Sequence, residues 1–477
     1  MTITDVMRLR SRCVLSAGLT IFTLLAGATA DTLDPAALTA GTFTTPEQTA
    51  GAFSVPIAML SSEQVEAWAK GKEQFNEAWV VAPDPGGVWG LGPTFNEDRC
   101  AHCHVNNGRA KATEDGHEAK LGLLVRLSIP GRAKDGGPNP HPVYGDQLQN
   151  RGMQDRVPAE GSVLVHYAPR DVKLADGEIV VLRAPKLEFK DLHFGELGSD
   201  TMTSPRIAPA MIGLGLLEAV PEQSLLQILQ QQPADMRGTA NYVWDFENEQ
   251  KMIGRFGWKA NQPSIRQQTA GAFLGDIGAT SSIFPEENCP AAQKECLSVP
   301  SASKCGGQGG CTGNYRPEVV PSRLTNITLY LQTLAVPARR NMGDADVKRG
   351  ETLFKDAQCG VCHVPQLTTG AKAPIAAAAN IEFHPYTDLL LHDMGDALAD
   401  GRPDYLASGT QWRTAPLWGV GLLKTVNGHS DLLHDGRARN VTEAILWHGG
   451  ESQASRDKFA NLSKEDRERL IAFVNSL

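Results

Sequence analysis

Two copies of the pattern C-x-x-C-H stand out in this chain, because cysteine is rare, with nine residues in 477. In such a pattern the two thiols bond to the haem vinyl groups, and the histidine that follows supplies an axial nitrogen to the iron. A zinc site would need no histidine directly after each cysteine pair, and a thioredoxin-like pair would need a βαβ setting. The sequence therefore predicts two covalently bound haem c groups. The six residues are Cys100, Cys103 and His104 in the first copy and Cys359, Cys362 and His363 in the second.

The N-terminus predicts an export signal. Arg8, Arg10 and Arg12 form a positive region, an apolar run follows at Val14–Leu25, and the A-x-A pattern ending at Ala30 fits a cleavage site. We therefore expect a periplasmic protein whose signal peptide is cleaved after Ala30. No later segment has the about 18 uninterrupted apolar residues of a transmembrane helix.

The chain is acidic, with a formal net charge of −9. The predicted signal carries three arginines and one aspartate, so removing it would leave a net charge of −11. A strongly acidic chain is a poor candidate for binding nucleic acid. We therefore expect no nucleic-acid partner.

Four further cysteines lie in a stretch rich in proline, serine and glycine, without a C-x-x-C-H pattern. In an exported protein they favour two disulfides, in a pairing that the sequence leaves open, over a metal site. These residues are Cys289, Cys296, Cys305 and Cys311.

The chain contains a degenerate internal repeat, in which each half has one haem motif and ends in an apolar helix. The paired segments are Gly71–Ala78 with Gly350–Ala357, Arg206–Pro209 with Arg413–Pro416, Gly213–Leu217 with Gly419–Leu423, and Ile327–Leu334 with Leu470–Leu477.

The repeat predicts a mainly α fold of two cytochrome c-like haem domains, the first with a long insertion containing short β-strands. The predicted strands fall on apolar or alternating runs separated by turn residues, at Leu121–Leu127, Ser162–Tyr167 and Glu178–Arg183. The predicted divisions are a signal peptide at 1–30, an N-terminal haem domain with the insertion and disulfide loop at 31–340, and a C-terminal haem domain at 341–477.

Over most of its length after the signal, the chain resembles the bacterial di-haem oxidoreductases once labelled thiol oxidoreductases, which are relatives of the bacterial di-haem cytochrome c peroxidases. The stretches that carry the resemblance are Gly90–Asn96, Tyr144–Gln149, Gly254–Ala260, Asp388–Gly395 and His434–Ala438. Relatives include peroxidases, an enzyme that matures an amine dehydrogenase, and rubber-cleaving oxygenases. The peroxidases also hold a calcium ion between domains, which makes Ca²⁺ a candidate cofactor, although no side-chain cluster here demands one.

The resemblance implies residues for a peroxide site at the first haem. Peroxide chemistry needs an acid/base and a polar group that orients the oxygens, and Gln268 and Asp276 are the candidates, with Asp in place of the family's Glu. Trp258 corresponds to a tryptophan between the haems. Arg206 and Arg413, which recur in the repeat, are candidates for pairing with haem propionates. The alternatives are a surface helix with a solvated Gln and a capping Asp, aromatic packing, and solvated arginines.

The sixth ligands stay open at both haems. For the second haem, His448 corresponds to a methionine ligand of the peroxidases, and Met394 is its rival. The remaining candidates there are His392, His429 and His434. For the first haem, the insertion offers His117, His141, His166 and His193, among which Pro142 favours an extended backbone at His141.

The sequence thus predicts a periplasmic di-haem c-type oxidoreductase of the peroxidase type. Electrons would enter at the C-terminal haem from a small redox protein of the cytochrome c or cupredoxin type, and a peroxide-like substrate would react at the N-terminal haem. The alternatives are a pure electron-transfer cytochrome and a haem oxidase that acts on a protein or metal partner.

Overall fold

A computed structural model describes residues 34–81, 84, 86–299 and 317–477. The predicted signal peptide, Cys305 and Cys311 lie outside the described residues. Residues Asp34–Leu477 form one compact unit. The domain boundary at residues 340–341 stays a prediction.

Twelve α-helices are found in the described part of the chain, and several begin at a capping side chain. Ser61 accepts a hydrogen bond from the backbone of Gln64 and forms a capping box with it. The side chain of Asp344 accepts a hydrogen bond from the backbone of Asp346 and so caps a later helix. The helices are α1 (Ser62–Asn76), α2 (Cys100–Cys103), α3 (Leu214–Glu218), α4 (Glu222–Gln231), α5 (Ile265–Ala272), α6 (Lys294–Ser298), α7 (Pro321–Gln332), α8 (Ala345–Asp356), α9 (Leu423–Asn427), α10 (Val441–Leu446), α11 (Gln453–Ala460) and α12 (Lys464–Ser476).

The strands of the described residues form eight small sheets of two or three strands each. The larger sheets have the strand orders β10-β9-β5 and β11-β6-β7, and both are antiparallel. The strands are β1 (Thr44–Thr45), β2 (Trp79–Val80), β3 (Val88–Trp89), β4 (Thr94–Phe95), β5 (His117–Glu118), β6 (Leu123–Arg132), β7 (Pro138–Asn139), β8 (Arg151–Gly152), β9 (Ser162–Lys173), β10 (Ile179–Lys190), β11 (Met202–Ile207), β12 (Tyr242–Asp245), β13 (Gln250–Ile253), β14 (Val336–Pro337), β15 (Leu367–Thr368), β16 (Glu382–Phe383), β17 (Leu391–Asp393) and β18 (Gln411–Arg413).

The internal repeat is visible as two similar helix pairs, α1 with α7 and α8 with α12. Each pair packs closely at a glycine. A Cβ atom at Gly71 would lie 2.2 Å from the carbonyl oxygen of Asn326, and one at Gly350 would lie 2.0 Å from that of Arg469. Both distances are shorter than a van der Waals contact, so the two helix backbones approach each other only because the side chain is absent.

The hairpin of β9 and β10 reaches from the first half of the chain onto the second. At its tip, Asp176 and Glu178 each lie 2.7 Å from the buried guanidinium group of Arg467 in α12. Further along the hairpin, Arg183 forms an ion pair of 3.0 Å with Asp431. The two halves therefore share polar contacts over the length of this hairpin.

The prediction of a mainly α chain of two cytochrome c-like haem domains is wrong. The structure is 31% helical and 21% strand in many small sheets, and two cytochrome c domains are not clearly distinct. The sequence repeat marks the helices, but β9 and β10 are 12 residues long each, β6 has 10 residues and β11 has six, and most other strands are pairs of short segments. Because the hairpin and the loops cross between halves, neither half stands apart from the other.

No helix within the described residues has both the length and the apolar character needed to cross a lipid bilayer.

The close approach at Gly350 generates a stability prediction. We expect Gly350→Ala to lower the free energy of unfolding by about 1–3 kcal/mol, because the new methyl group would collide with the backbone of α12. Gly343→Ala is the matched control, since a Cβ at Gly343 meets no atom within 4 Å. Denaturant unfolding of the two variants measures the difference, and equal stabilities would contradict the packing described here.

Candidate functional site

A cavity of about 810 Å³ lies beside the first C-x-x-C-H motif. Cys100, Cys103 and His104 line it, together with residues from the second half such as Arg413 and Val420. No residue of the second motif is among the described residues that line it. The two motifs therefore have different surroundings.

His104 is held in the form that a metal ligand requires. Its Nδ1 lies 2.8 Å from the carbonyl oxygen of Pro209 and donates a hydrogen bond to it. Burial lowers the pKa of His104 to about 4, so the ring is neutral at neutral pH. The hydrogen on Nδ1 leaves the lone pair of Nε2 free for an iron. A histidine that binds a metal usually donates a hydrogen bond from its other ring nitrogen in this way.

His363 of the second motif follows the same pattern. Its Nδ1 donates to the carbonyl oxygen of Tyr386 at 2.9 Å, and burial lowers its pKa. His448 is half-buried and donates from Nδ1 to the carbonyl oxygen of Ala444 at 2.7 Å. Burial, and after it the proximity of His363, lower the pKa of His448 to about 4. Each ring therefore has its Nε2 free for a ligand.

The other histidines proposed for the second haem are engaged elsewhere. His392 lies between two carboxylates, with Nε2 2.8 Å from Asp388 and Nδ1 2.6 Å from Glu451. Burial opposes its protonation, but hydrogen bonds to Asp388, Cys362 and Glu451 raise the pKa of His392 to about 12, so it is protonated and has no lone pair to offer. His434 stacks on Trp412 with ring centroids 3.6 Å apart.

His429 and Met394 also have polar partners. The Nε2 of His429 bonds to the carbonyl oxygen of Arg109 at 3.2 Å, and its Nδ1 accepts from the backbone of Asp431. The sulfur of Met394 lies 3.7 Å from the hydroxyl oxygen of Ser452. Of the proposed ligands, His448 has the contacts that best leave one ligand atom free.

None of the four histidines of the insertion is among the described residues that line the cavity. The Nε2 of His141 donates to the carbonyl oxygen of Leu197 at 2.9 Å, and its Nδ1 accepts from the backbones of Val143 and Tyr144. Both ring nitrogens of His141 are therefore occupied by hydrogen bonds. The other three histidines of the insertion, which are also not among the described residues that line the cavity, are His117, His166 and His193.

Both proposed distal residues line the cavity. Gln268 lies on α5, and its side chain makes no hydrogen bond within the described part of the chain. Asp276 lies on a π-helical turn, Phe273–Ile277, that continues α5. Burial raises the pKa of Asp276, which Arg126 and then a hydrogen bond from Gln147 partly oppose. Such a carboxyl group is poised to exchange a proton at a higher pH than an ordinary aspartate.

Three arginines line the cavity without a carboxylate partner among the described residues. Arg413 donates to the carbonyl oxygens of Gly257 at 2.9 Å and Thr414 at 3.2 Å. Arg109 donates to two carbonyl oxygens of the second half, and Arg255 donates to the carbonyl oxygens of Leu217 in α3 and Val220 after it.

Burial lowers the pKa of Arg413 and of Arg109 to about 10. More distant carboxylates such as Asp431, Glu222 and Asp388 oppose part of the effect of burial, and no described carboxylate forms an ion pair with any of the three arginines, so the cavity favours an anionic ligand.

Arg206 differs from Arg413 although both belong to the repeat. It lines the cavity but already forms an ion pair of 3.2 Å with Asp404. Arg402 shares the same carboxylate at 3.2 Å, so the group of three retains one positive charge.

Trp258 also lines the cavity and lies next to the Arg413 contacts. Its indole nitrogen donates to the carbonyl oxygen of Ile207 at 2.8 Å, and the guanidinium group of Arg109 lies 5.1 Å from its ring centroid. The structure therefore brings Trp258, Gln268 and Asp276 to the wall of one cavity.

These residues fit a haem. The first motif provides two free thiols and a neutral histidine with an available Nε2, and the uncompensated arginines suit the two propionates of the group. The cavity volume is within the range of small-molecule and cofactor sites. The site defines a haem-binding oxidoreductase as the class that the chemistry fits.

Comparison with family models gives the family. The chain matches, over residues 35–477, the family described as "Di-haem oxidoreductase, putative peroxidase". It belongs to this family, and haem is the cofactor that membership assigns. No curated protein matches the chain.

Two other predictions, the calcium ion and the disulfides, rest on fewer observations. Among the described residues, only Glu97, Asp98 and His102 bring three possible metal ligands within 4.8 Å of one another, and Glu97 is already paired with Arg151. Calcium stays a prediction. Cys289 and Cys296 lie with Cα atoms 5.6 Å apart, which a disulfide can span.

Sequence reasoning missed several residues of the cavity wall. Arg109 and Arg126 lie in no motif. Arg255 lies in a stretch that carries the family resemblance, and that position was the one available signal. What made them important is spatial, because each reaches the cavity from a different part of the chain.

Arg413 generates a prediction on the haem-loaded protein. We expect Arg413→Leu to lower its free energy of unfolding by about 1.5–3 kcal/mol, because a charge-assisted bond to the anionic cofactor would be lost. Arg413→Lys keeps the charge and should lose less. Denaturant unfolding followed by haem absorbance measures both, and a leucine variant as stable as the wild type would contradict the pairing.

Proposed function

We propose that the chain is a periplasmic di-haem c-type peroxidase, which reduces a peroxide-like substrate in the cavity beside Cys100–His104. Both haems would be attached through thioethers to the two C-x-x-C-H motifs. The observation that carries the proposal is that Gln268 and Asp276 line the same cavity as the first motif, and that the side-chain amide of Gln268 makes no hydrogen bond to any described residue.

The chemistry requires two electrons and two protons for each peroxide converted to two waters. A haem held by Cys100, Cys103 and His104 would supply an iron centre that exchanges electrons with the substrate. The chain itself must orient the substrate and move protons. The Gln268 amide can donate to one peroxide oxygen, and Asp276 can take the proton from one oxygen and return it to the other.

The second motif would receive electrons rather than substrate. His363 and His448 are both half-buried, donate from Nδ1 and make no hydrogen bond at Nε2 within the described residues, so both could hold an iron. We propose His448 as the sixth ligand there. A small redox protein of the cytochrome c or cupredoxin type would deliver the electrons, and Trp258 would lie on their route to the cavity.

Covalent attachment can be tested by mass. We expect Cys100→Ser with Cys103→Ser to remove one haem mass from the denatured chain, and Cys359→Ser with Cys362→Ser to remove the other.

The control pair, Cys289→Ser with Cys296→Ser, should retain both haem masses. Because the measurement uses denatured protein, a loss of folding does not obscure it. A wild-type chain that releases its haem on denaturation would contradict covalent attachment.

The distal residues can be tested with hydrogen peroxide. We expect Asp276→Asn to slow the peroxide reaction by about 10²–10⁴-fold, because a carboxyl acid/base is lost. Gln268→Ala should slow it by about 10²-fold, through loss of one preorganised donor. Stopped-flow absorbance of the haem-loaded proteins measures both rates.

Exposed Gln230→Ala and Asp235→Asn are the matched controls and should react as the wild type does. If peroxide turnover survives both distal changes, the assignment of Gln268 and Asp276 is wrong. Optical and electron paramagnetic resonance spectra distinguish a peroxidase from an electron-transfer cytochrome. Two low-spin haems that peroxide leaves unchanged would make electron transfer the function.

A further inference from the structure

Backbone hydrogen bonds from residues 92–97 hold the π-helical turn Phe273–Ile277 in place. The backbone nitrogens of Asn96 and Glu97 both donate to the carbonyl oxygen of Asp276, at 2.8 and 3.0 Å. The nitrogen of Gly92 donates to the carbonyl oxygen of Ile277 at 2.9 Å. These bonds fix the backbone that carries Asp276, but they do not touch its carboxylate.

The carboxylate is held by Gln147, a buried residue that the proposed reaction does not otherwise use. The Nε2 atom of Gln147 lies 3.0 Å from Oδ1 of Asp276, 2.9 Å from the carbonyl oxygen of Gly275 and 2.6 Å from Oδ1 of Asn96. The amide nitrogen has two hydrogens for these three acceptors, so one hydrogen is shared between two of them.

Gln149 provides an internal comparison. It is as buried as Gln147, at 1% and 0% exposure respectively, and its Nε2 also donates to the carbonyl oxygen of Gly275, at 2.8 Å. Within the described residues it makes no contact with the Asp276 carboxylate. The two glutamines therefore share burial, chemistry and the bond to Gly275, whereas only Gln147 also donates to Asp276 and to Asn96.

We propose that Gln147 is a positioning residue, whose amide holds Oδ1 of Asp276 so that Oδ2 is the oxygen that exchanges protons in the cavity. The inference rests on the proposed function for its chemical meaning. Oδ2 makes no hydrogen bond within the described part of the chain, whereas Oδ1 is committed to the amide. An acid/base held by one oxygen keeps a fixed direction for its proton at the other.

The same bond affects ionisation, with a definite sign. An N–H donor stabilises the carboxylate more than the carboxylic acid, so removing it raises the pKa of Asp276 above the value that burial already raises. The other charged groups near Asp276 are Arg126, which lowers its pKa, and Asp146, which raises it. Glu97 is neutralised by Arg151 at 3.0 Å, and the Cys100 and Cys103 thiols would be thioethers in the haem-loaded protein.

The test follows the protonation of Asp276 by infrared difference spectroscopy across pH in the haem-loaded protein. Subtracting Asp276→Asn identifies the carboxyl band. We expect Gln147→Leu to move the midpoint of that band upward by about one pH unit. Gln149→Leu, which loses the same kind of amide and the same bond to Gly275, should keep the wild-type midpoint.

Gln147→Glu guards against a folding defect, because it keeps the size of the side chain. Its carboxylate cannot donate while ionised, so the midpoint should again move upward. Equal midpoints in Gln147→Leu and the wild type, or equal shifts in both leucine variants, would overturn the proposal.

The peroxide reaction separates this inference from the proposed function. If the wild type reacts with hydrogen peroxide, the acid limb of its pH–rate profile should move upward in Gln147→Leu by the same amount as the infrared midpoint. If the wild type does not react, the proposed function fails, while the infrared midpoints still decide whether Gln147 controls Asp276.

Discussion

Positive charge buried without a carboxylate partner is the constraint on which the site depends. Arg109, Arg255 and Arg413 give up hydration and recover bonds only to backbone carbonyls, which offset the desolvation of a cation in part. An anionic cofactor supplies what the described residues lack. Because Arg109 and Arg413 bond to backbone from different parts of the chain, the same anion would also strengthen the contact between the two halves.

Desolvation also affects the histidines. It distinguishes the candidate iron ligands from a histidine that is held between carboxylates. A half-buried ring that donates from Nδ1 to a carbonyl stays neutral with one lone pair free, as at His104, His363 and His448. A buried ring between carboxylates, as at His392, becomes protonated and has none. This distinction, and not the spacing of histidines in the sequence, separates His448 from His392 as a candidate ligand.

The sequence predicted features that are local and failed where distant segments meet. The C-x-x-C-H spacing and the repeated segments that begin at Gly71 and Gly350 are readable because each is a pattern of neighbouring residues. The β9–β10 hairpin was recognised only as two short runs, since its length depends on packing against α12 and on partners such as Arg467. Gln147 could not be assigned a role, because it meets Asp276 across 129 positions of sequence.

The aspartate at position 276 has a side chain one methylene shorter than a glutamate, and it lies on the π-helical turn Phe273–Ile277. A π-helical turn contains an extra residue relative to an α-helical turn, so it redirects the side chains that it carries. The turn ends at Gly278 with φ of 80°, where a Cβ atom would lie 2.6 Å from the carbonyl oxygen of Thr94. Only glycine allows this close approach, and the approach lets Asn96 hold the turn. The shape of the turn therefore determines how Asp276 reaches the cavity. Its side chain is short, so the bond from the Gln147 amide leaves it few other orientations.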